Sequence, residues 1–195
     1  MSEEVELRPF PPFLPKDATV MMMGTFPPKL DKRSMDFHYP NFQNDMWRVF
    51  GLVFFDDKDY FRRGEAKAFD ADKIKAFLSK KGIASCPTVL RATREHDNAS
   101  DAFLHVVEPV HLGEVLQQIP KCTHICTTCG KATEILLSLL PNKVKLPKTG
   151  ETIEIDYEGR VLSLTRLPST SRAYPMSLVN KATAYKEFFG SVRLV

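Results

Sequence analysis

The sequence predicts an α/β fold, a three-layer sandwich with a central, mainly parallel sheet flanked by helices. Three observations carry that expectation. Apolar runs too short to be helices, Val20-Met21-Met22-Met23 and Val161-Leu162-Ser163-Leu164, read as buried strands. Stretches with helical spacing of apolar residues alternate with such runs, the pattern of a parallel sheet covered by helices. Both runs exit into proline-stiffened loops, Gly24 to Pro28 and Leu167 to Pro175. In an open α/β sheet, loops at the carboxyl ends of the strands build the ligand crevice.

Residues 8–16 hold too many prolines for a helix, so an extended arm over about residues 1–17 is expected to lie across the domain. A strand covers about Ala18 to Met23. From Asp45 to Phe55, Met46, Val49, Phe50 and Val53 recur at i, i+3, i+4 and i+7, which predicts a helix packed on the sheet. Asp56 to Arg63 reads as a loop. Asp70 to Lys80 places Ile74, Phe77 and Leu78 on one helical face, and Gly82 is its expected stop. A short strand lies within Gly82 to Thr88. Arg91 to Asp101 shows no apolar period and reads as a long loop, a feature that is usually functional or disordered in a compact domain. Next come a short amphipathic helix at Leu112 to Ile119, a strand at His124 to Thr128 and a helix at Lys131 to Leu140. Thr152 to Tyr157 and Val161 to Leu167 flank Glu158-Gly159-Arg160 as a hairpin. The last helix runs from Ser177 to Phe189, with Leu178, Ala182, Tyr185 and Phe189 near one face.

A chain of 195 residues is expected to form a single domain with its own core. Hydrophobic content of 43% and charged content of 26% are those of an ordinary soluble globular protein. Net charge is +3 and the pI about 8.6, a balance that admits a polyanionic partner without requiring one. No stretch approaches the ~18 consecutive apolar residues of a membrane span. Met1-Ser2-Glu3-Glu4 lacks the basic-then-apolar layout of a signal peptide. A cytoplasmic protein without membrane contact is expected. Of the four cysteines, Cys122, Cys126 and Cys129 cluster as C-x3-C-x2-C. They sit on and just after a strand, where alternate residues face opposite ways, and a tetrahedral site pairs two close ligands with a second pair from elsewhere. Reduced, partly buried thiols and no metal are therefore expected.

Three segments carry candidate chemistry. Gly24 after its strand permits close backbone approach, and Pro27-Pro28 stiffens the chain beyond it; a tight strand exit without an active role explains the same residues. Phe37, His38 and Tyr39 form a run of rings that suits either base stacking or a satellite hydrophobic cluster. Asn44, just before a helix, suits either a water- or substrate-positioning amide or a plain helix cap. Ser169, Thr170, Ser171 and Arg172 are suited to phosphate contacts.

Together and in this order these segments resemble the uracil-DNA glycosylase superfamily. Its mismatch-specific branch opens with a strand and Gly-x-Asn-Pro-Gly, continues with an aromatic and x-His-Pro-x-Asn-x-Phe-Trp, and closes with a strand, Asn-Pro-Ser and a loop that enters DNA. Gly24-Thr25-Phe26-Pro27-Pro28 is similar to the first motif. Counting back from Trp47, Asn44 takes the place of the family's Asn and Tyr39 that of its stacking aromatic. Leu167-Pro168-Ser169 is similar to the closing motif, with Thr170 to Met176 as the intercalating loop. Thr127 to Lys131 is similar to the family's strand-Asn-Gly-Lys turn. The match spans about Thr19 to Phe189.

Phe26 replaces the catalytic Asn of the first motif, and the Asp of the water-activating branches is absent too. Gly-Ser-Phe-Pro and Leu-Pro-Ser-Thr-Ser of the hypoxanthine-DNA glycosylase branch are the nearest pattern. That resemblance implies a DNA-repair hydrolase that flips a deaminated base, hypoxanthine or uracil, out of DNA and cleaves its N-glycosidic bond. It implies Asn44 as the catalytic residue, with His38 as the fallback acid or base. It places Gly24, Thr25, Phe26 and Tyr39 around the base. Pro168, Ser169, Thr170, Ser171, Arg172, Tyr174 and Lys131 would meet DNA, duplex or single strand. Lys29, Lys32, Arg33, Arg91 and Arg94 are further phosphate candidates. A monomer without cofactor is expected, since no Cys precedes Cys86 and the iron–sulfur branches carry a Cys pair near the N-terminus. Two other classes fit the same residues. One is a non-catalytic protein that recognises lesions or unusual nucleic-acid ends. The other is an enzyme acting on free nucleosides.

Overall fold

A computed structural model of the protein describes residues 4–95 and 101–195. Its strands are β1 (Glu6–Leu7), β2 (Val20–Met23), β3 (Ile83–Ser85), β4 (Val89–Arg94), β5 (Leu104–Pro109), β6 (His124–Thr127), β7 (Thr152–Tyr157) and β8 (Arg160–Arg166). Its α-helices are α1 (Met46–Phe55), α2 (Ala71–Lys81), α3 (Leu112–Gln118), α4 (Gly130–Ser138) and α5 (Leu178–Ser191).

The five-stranded sheet runs β3-β2-β6-β8-β7, and every side chain of β2 is fully buried. Alternation along β2 sends Val20 and Met22 into one core with α1, α2 and α5, and Met21 and Met23 into another with α3 and α4. Helices therefore cover both faces, as the sequence pattern predicts.

The sheets are mixed, which corrects the expectation of a mainly parallel one. β2, β3, β6 and β8 run parallel, whereas β7 joins the edge antiparallel to β8. Glu158 and Gly159, both left-handed with φ of 52° and 78°, make the two-residue turn between them, the backbone twist that matches flanking strands. A separate antiparallel sheet, β1-β4-β5, takes in residues 91–94 of the region expected as a loop from Arg91 to Asp101. Residues 96–100 of that expected loop lie outside the described residues. A register shift on either side of Arg91 breaks the alternation of β4, so no period of two is visible in its sequence.

Within the proline-rich arm, β1 pairs with β4 and Phe13 bridges to Ser85. Helix ends obey their local chemistry. Asp70 Oδ1 accepts from the Lys73 amide at 3.0 Å to start α2, and Gly82 ends it at φ 68°. No helix among the described residues is long and apolar enough to cross a membrane. Cys86, Cys122 and Cys126 are buried free thiols. No group of three His, Cys, Asp or Glu among the described residues is placed to hold a metal ion.

Candidate active site

The carboxyl ends of the parallel strands open into one cavity of about 630 Å³. The Gly24–Pro28 loop after β2, the His38–Asn44 segment, the Thr128–Cys129 turn after β6 and the Ser169–Pro175 loop after β8 all line it. The three segments singled out in the sequence thus share one space, of a size that suits a small ligand.

Tyr39 is held there by backbone and packing. Its φ of 53° is a left-handed conformation that a non-glycine residue adopts only when its surroundings enforce it. Its hydroxyl lies 2.9 Å from Thr128 Oγ1, and its ring meets Trp47 edge-on with centroids 6.1 Å apart. The Trp47 indole N–H donates to the His38 carbonyl at 3.1 Å, locking the same loop. A Cβ on Gly24 would stand 2.8 Å from the Tyr39 hydroxyl, so glycine is required where the ring crosses the first loop. Burial holds the Tyr39 phenol well above its ordinary pKa, and it stays neutral.

His38 lines the cavity but is 3% exposed, and both of its ring nitrogens have partners. Nε2 lies 2.9 Å from the Pro11 carbonyl, which can only accept, so Nε2 carries the proton. Nδ1, 2.6 Å from Ser85 Oγ, then accepts the serine hydroxyl. Burial lowers the ring's pKa from 6.5 to about 4. The unfolded chain therefore binds a proton that the folded protein refuses between these values, and stability falls as pH drops through that window. The loss reaches about 3 kcal/mol by pH 4. Thermal unfolding from pH 7 to pH 4 should show that slope, and His38→Gln should flatten it.

Asn44, one residue before the N-cap Asp45, accepts through Oδ1 from the first amide of α1, that of Met46, at 2.9 Å, and the side chain also borders the cavity. Of the two roles weighed for it in the sequence, the hydrogen bond at the helix start is present. Its Oδ1 keeps a second lone pair, and its Nδ2 has no partner among the described residues. Asp45 next to it is 7% exposed and joins Lys181 of α5, 1% exposed, through Oδ2 at 2.9 Å. Lys181 Nζ also donates to the Ser171 carbonyl at 2.8 Å, and the Asp45 amide donates to the Thr170 carbonyl at 2.9 Å. This buried pair fastens the closing loop to the start of α1.

Phe26 packs on Val89, Ala92, Leu104 and Ile135, and the Arg94 guanidinium lies 5.3 Å over its ring. Arg94 is 6% exposed, pairs with Glu6 at 2.9 Å and donates to the Pro27 carbonyl. It braces the first loop from behind and is not available to phosphate, which corrects that expectation. Arg33 is similarly engaged, with Nε donating to the Pro28 carbonyl at 2.7 Å. Arg91 is exposed and lies 3.8 Å from Glu108.

In the closing loop Pro168 and Thr170 are buried, and the Pro168 carbonyl accepts the Tyr185 hydroxyl at 3.1 Å. Ser171 and Arg172 are exposed, Ser169 and Tyr174 half-buried at the cavity wall. Lys131, in the first turn of α4, lies outside the cavity lining.

Sequence reasoning missed Asp101. Its Oδ1 accepts the Thr25 hydroxyl at 2.7 Å and its Oδ2 the Cys129 thiol at 3.4 Å, and it is the acidic side chain of the cavity wall. Nothing local announces it, because its partners lie 76 and 28 residues away.

No family model matches the sequence, and no curated protein matches it. A solved structure does. A solution NMR structure named "putative Uracil DNA glycosylase", from Methanosarcina acetivorans, is similar over 97% of this chain and 99% of that chain, with TM-score 0.67 and 19% identity. The fold is uracil-DNA-glycosylase-like. In this fold the cavity lies at the carboxyl ends of the parallel strands, where open α/β sheets bind ligands.

Proposed function

We propose that the protein is a monofunctional DNA glycosylase of the hypoxanthine and mismatch-specific type, hydrolysing the N-glycosidic bond of a flipped uracil or hypoxanthine. The observation that carries this reading is the convergence of the three motif-like segments, drawn from both ends of the chain, on one cavity. A base inside a duplex is out of reach, so it must leave the stack and enter such a pocket. Unstacking costs a few kcal/mol, least at a damaged or mismatched pair, and stacking on the Tyr39 ring returns part of it.

Bond cleavage builds positive charge on the sugar and negative charge on the departing base. Amides of the Gly24–Phe26 turn would stabilise the base, at about 3 kcal/mol for a well-aimed donor. Asn44 Oδ1, with one lone pair on the Met46 amide and one free for a water hydrogen, would aim water at the sugar carbon. An amide is a poor base, so its contribution is positioning along a dissociative path. His38, neutral and with both nitrogens engaged, would hold the Tyr39 loop in place. Ser171 and Arg172 would meet phosphates, and Tyr174 or Met176 would fill the gap left by the flipped base. Lys131 would add charge at the edge of that footprint.

Chromatographic detection of free uracil or hypoxanthine released from duplex oligonucleotides tests the reading. Free deoxyuridine and deoxyinosine serve as competing substrates, and a salt series separates the two classes. Turnover of DNA should fall steeply as salt rises, because phosphate contacts displace counterions. Salt-independent cleavage of the free nucleosides alone would replace the proposal with a nucleoside hydrolase.

A further inference from the structure

We propose that Asp101 tells a deaminated base from its parent, by accepting the ring N–H that deamination creates. This rests on the glycosylase reading and assigns the specificity of that site.

Deamination turns the exocyclic amine donor into a carbonyl acceptor and reverses the ring nitrogen beside it. Cytosine N3 and adenine N1 carry lone pairs, whereas uracil N3 and hypoxanthine N1 carry hydrogens. An ionised carboxylate is acceptor-only and offers about four lone-pair positions. It rewards an N–H with a charge-assisted bond and repels a lone pair in the same place.

Asp101 is fixed for that task. The Thr25 hydroxyl holds one oxygen at 2.7 Å and the Cys129 thiol holds the other at 3.4 Å. Those two donors use about half of the lone-pair positions and leave the rest for a ligand. Thr25 belongs to the loop after β2. Cys129 is the cap of α4, its sulfur accepting from the Ala132 amide at 3.4 Å. Burial beside Asp101 pushes the Cys129 thiol up to about 12, so it remains protonated and continues to donate. The neighbouring Thr128 hydroxyl is already engaged with Tyr39. Within the cavity wall, Asp101 is thus the charged acceptor presented to a base edge.

The test uses duplexes carrying 2′-fluoro-arabino nucleotides of uracil, hypoxanthine, cytosine and adenine, whose fluorine disfavours positive charge on the sugar and so blocks cleavage. Binding of each is measured for wild type and Asp101→Asn, together with single-turnover release from cleavable duplexes. Wild type should prefer uracil over cytosine and hypoxanthine over adenine, and Asp101→Asn should narrow both preferences by about 10- to 100-fold. A merely structural loss would lower all four affinities together and leave the ratios unchanged, which overturns the proposal. Loss of turnover with unchanged ratios also overturns it, since Asp101 would then serve the chemistry. If Asp101→Asn does not fold, wild type alone decides. Release of N3-methyluracil or N1-methylhypoxanthine within threefold of the unmethylated bases overturns the proposal, and loss of release of both supports it. Wild type that neither binds nor cleaves any duplex would sink the glycosylase reading instead, a result distinct from either outcome at Asp101.

Discussion

Asn44→Ala is expected to lower single-turnover base release by about 10²- to 10³-fold, the cost of removing one well-aimed polar group from a reaction that depends on positioning. The substitution also removes the cap on the Met46 amide, worth about 1 kcal/mol of stability. Single-turnover release measured at a temperature where Asn44→Ala is still fully folded separates the two effects. A loss of about 10²-fold or more there, recovered in Asn44→Asp, which keeps acceptors for both the Met46 amide and the water, would establish the positioning role. Loss that tracks stability alone would return Asn44 to being a plain helix cap.

The largest stability effect is expected at Lys181. Lys181→Met leaves the Asp45 carboxylate, 7% exposed, without its close cation, and breaking a buried pair in this way costs about 3–5 kcal/mol. Arg172, 3.6 Å from the other carboxylate oxygen but largely solvated, offsets little of that. For a domain of this size the thermal midpoint should fall on the order of 10 °C. Pairing Lys181→Met with Asp45→Asn should recover a large part of the loss, because no charge then remains buried alone. The Ser171 carbonyl also loses its donor, so DNA affinity should weaken beyond what the Asp45→Asn single variant shows.

These residues also mark what the sequence made legible. The inward faces of α1 and α2 arise from apolar spacing, and Met46, Val49, Phe50, Ile74 and Leu78 are buried where that spacing puts them. The two proline-rich loops border the cavity because the strands before them are parallel neighbours of β6. Strand β4 escaped because Arg91 and Arg94 make it read as polar, although Arg94 is buried against Glu6 and Phe26. A charged residue in an amphipathic position shows its purpose only when its distant partner is known. Lys181 did carry a local signal, since it falls between Leu178 and Tyr185 on the apolar face of α5. A lysine there must find a buried counter-charge, and Asp45 lies 136 residues earlier. Asp101 carried no such signal. It lies just before β5, a strand paired to β4, which in turn pairs with the arm, so its place is set by contacts distant in sequence.

The most direct measurement is alkali-induced strand cleavage of end-labelled duplexes containing uracil, hypoxanthine or only normal bases, with wild type beside Asn44→Ala. The cavity chemistry predicts breaks at the lesion alone, produced by wild type and lost in the variant. Intact strands from every duplex and single strand, with tight lesion binding retained, would contradict it and make the protein a recognition module built on a glycosylase fold.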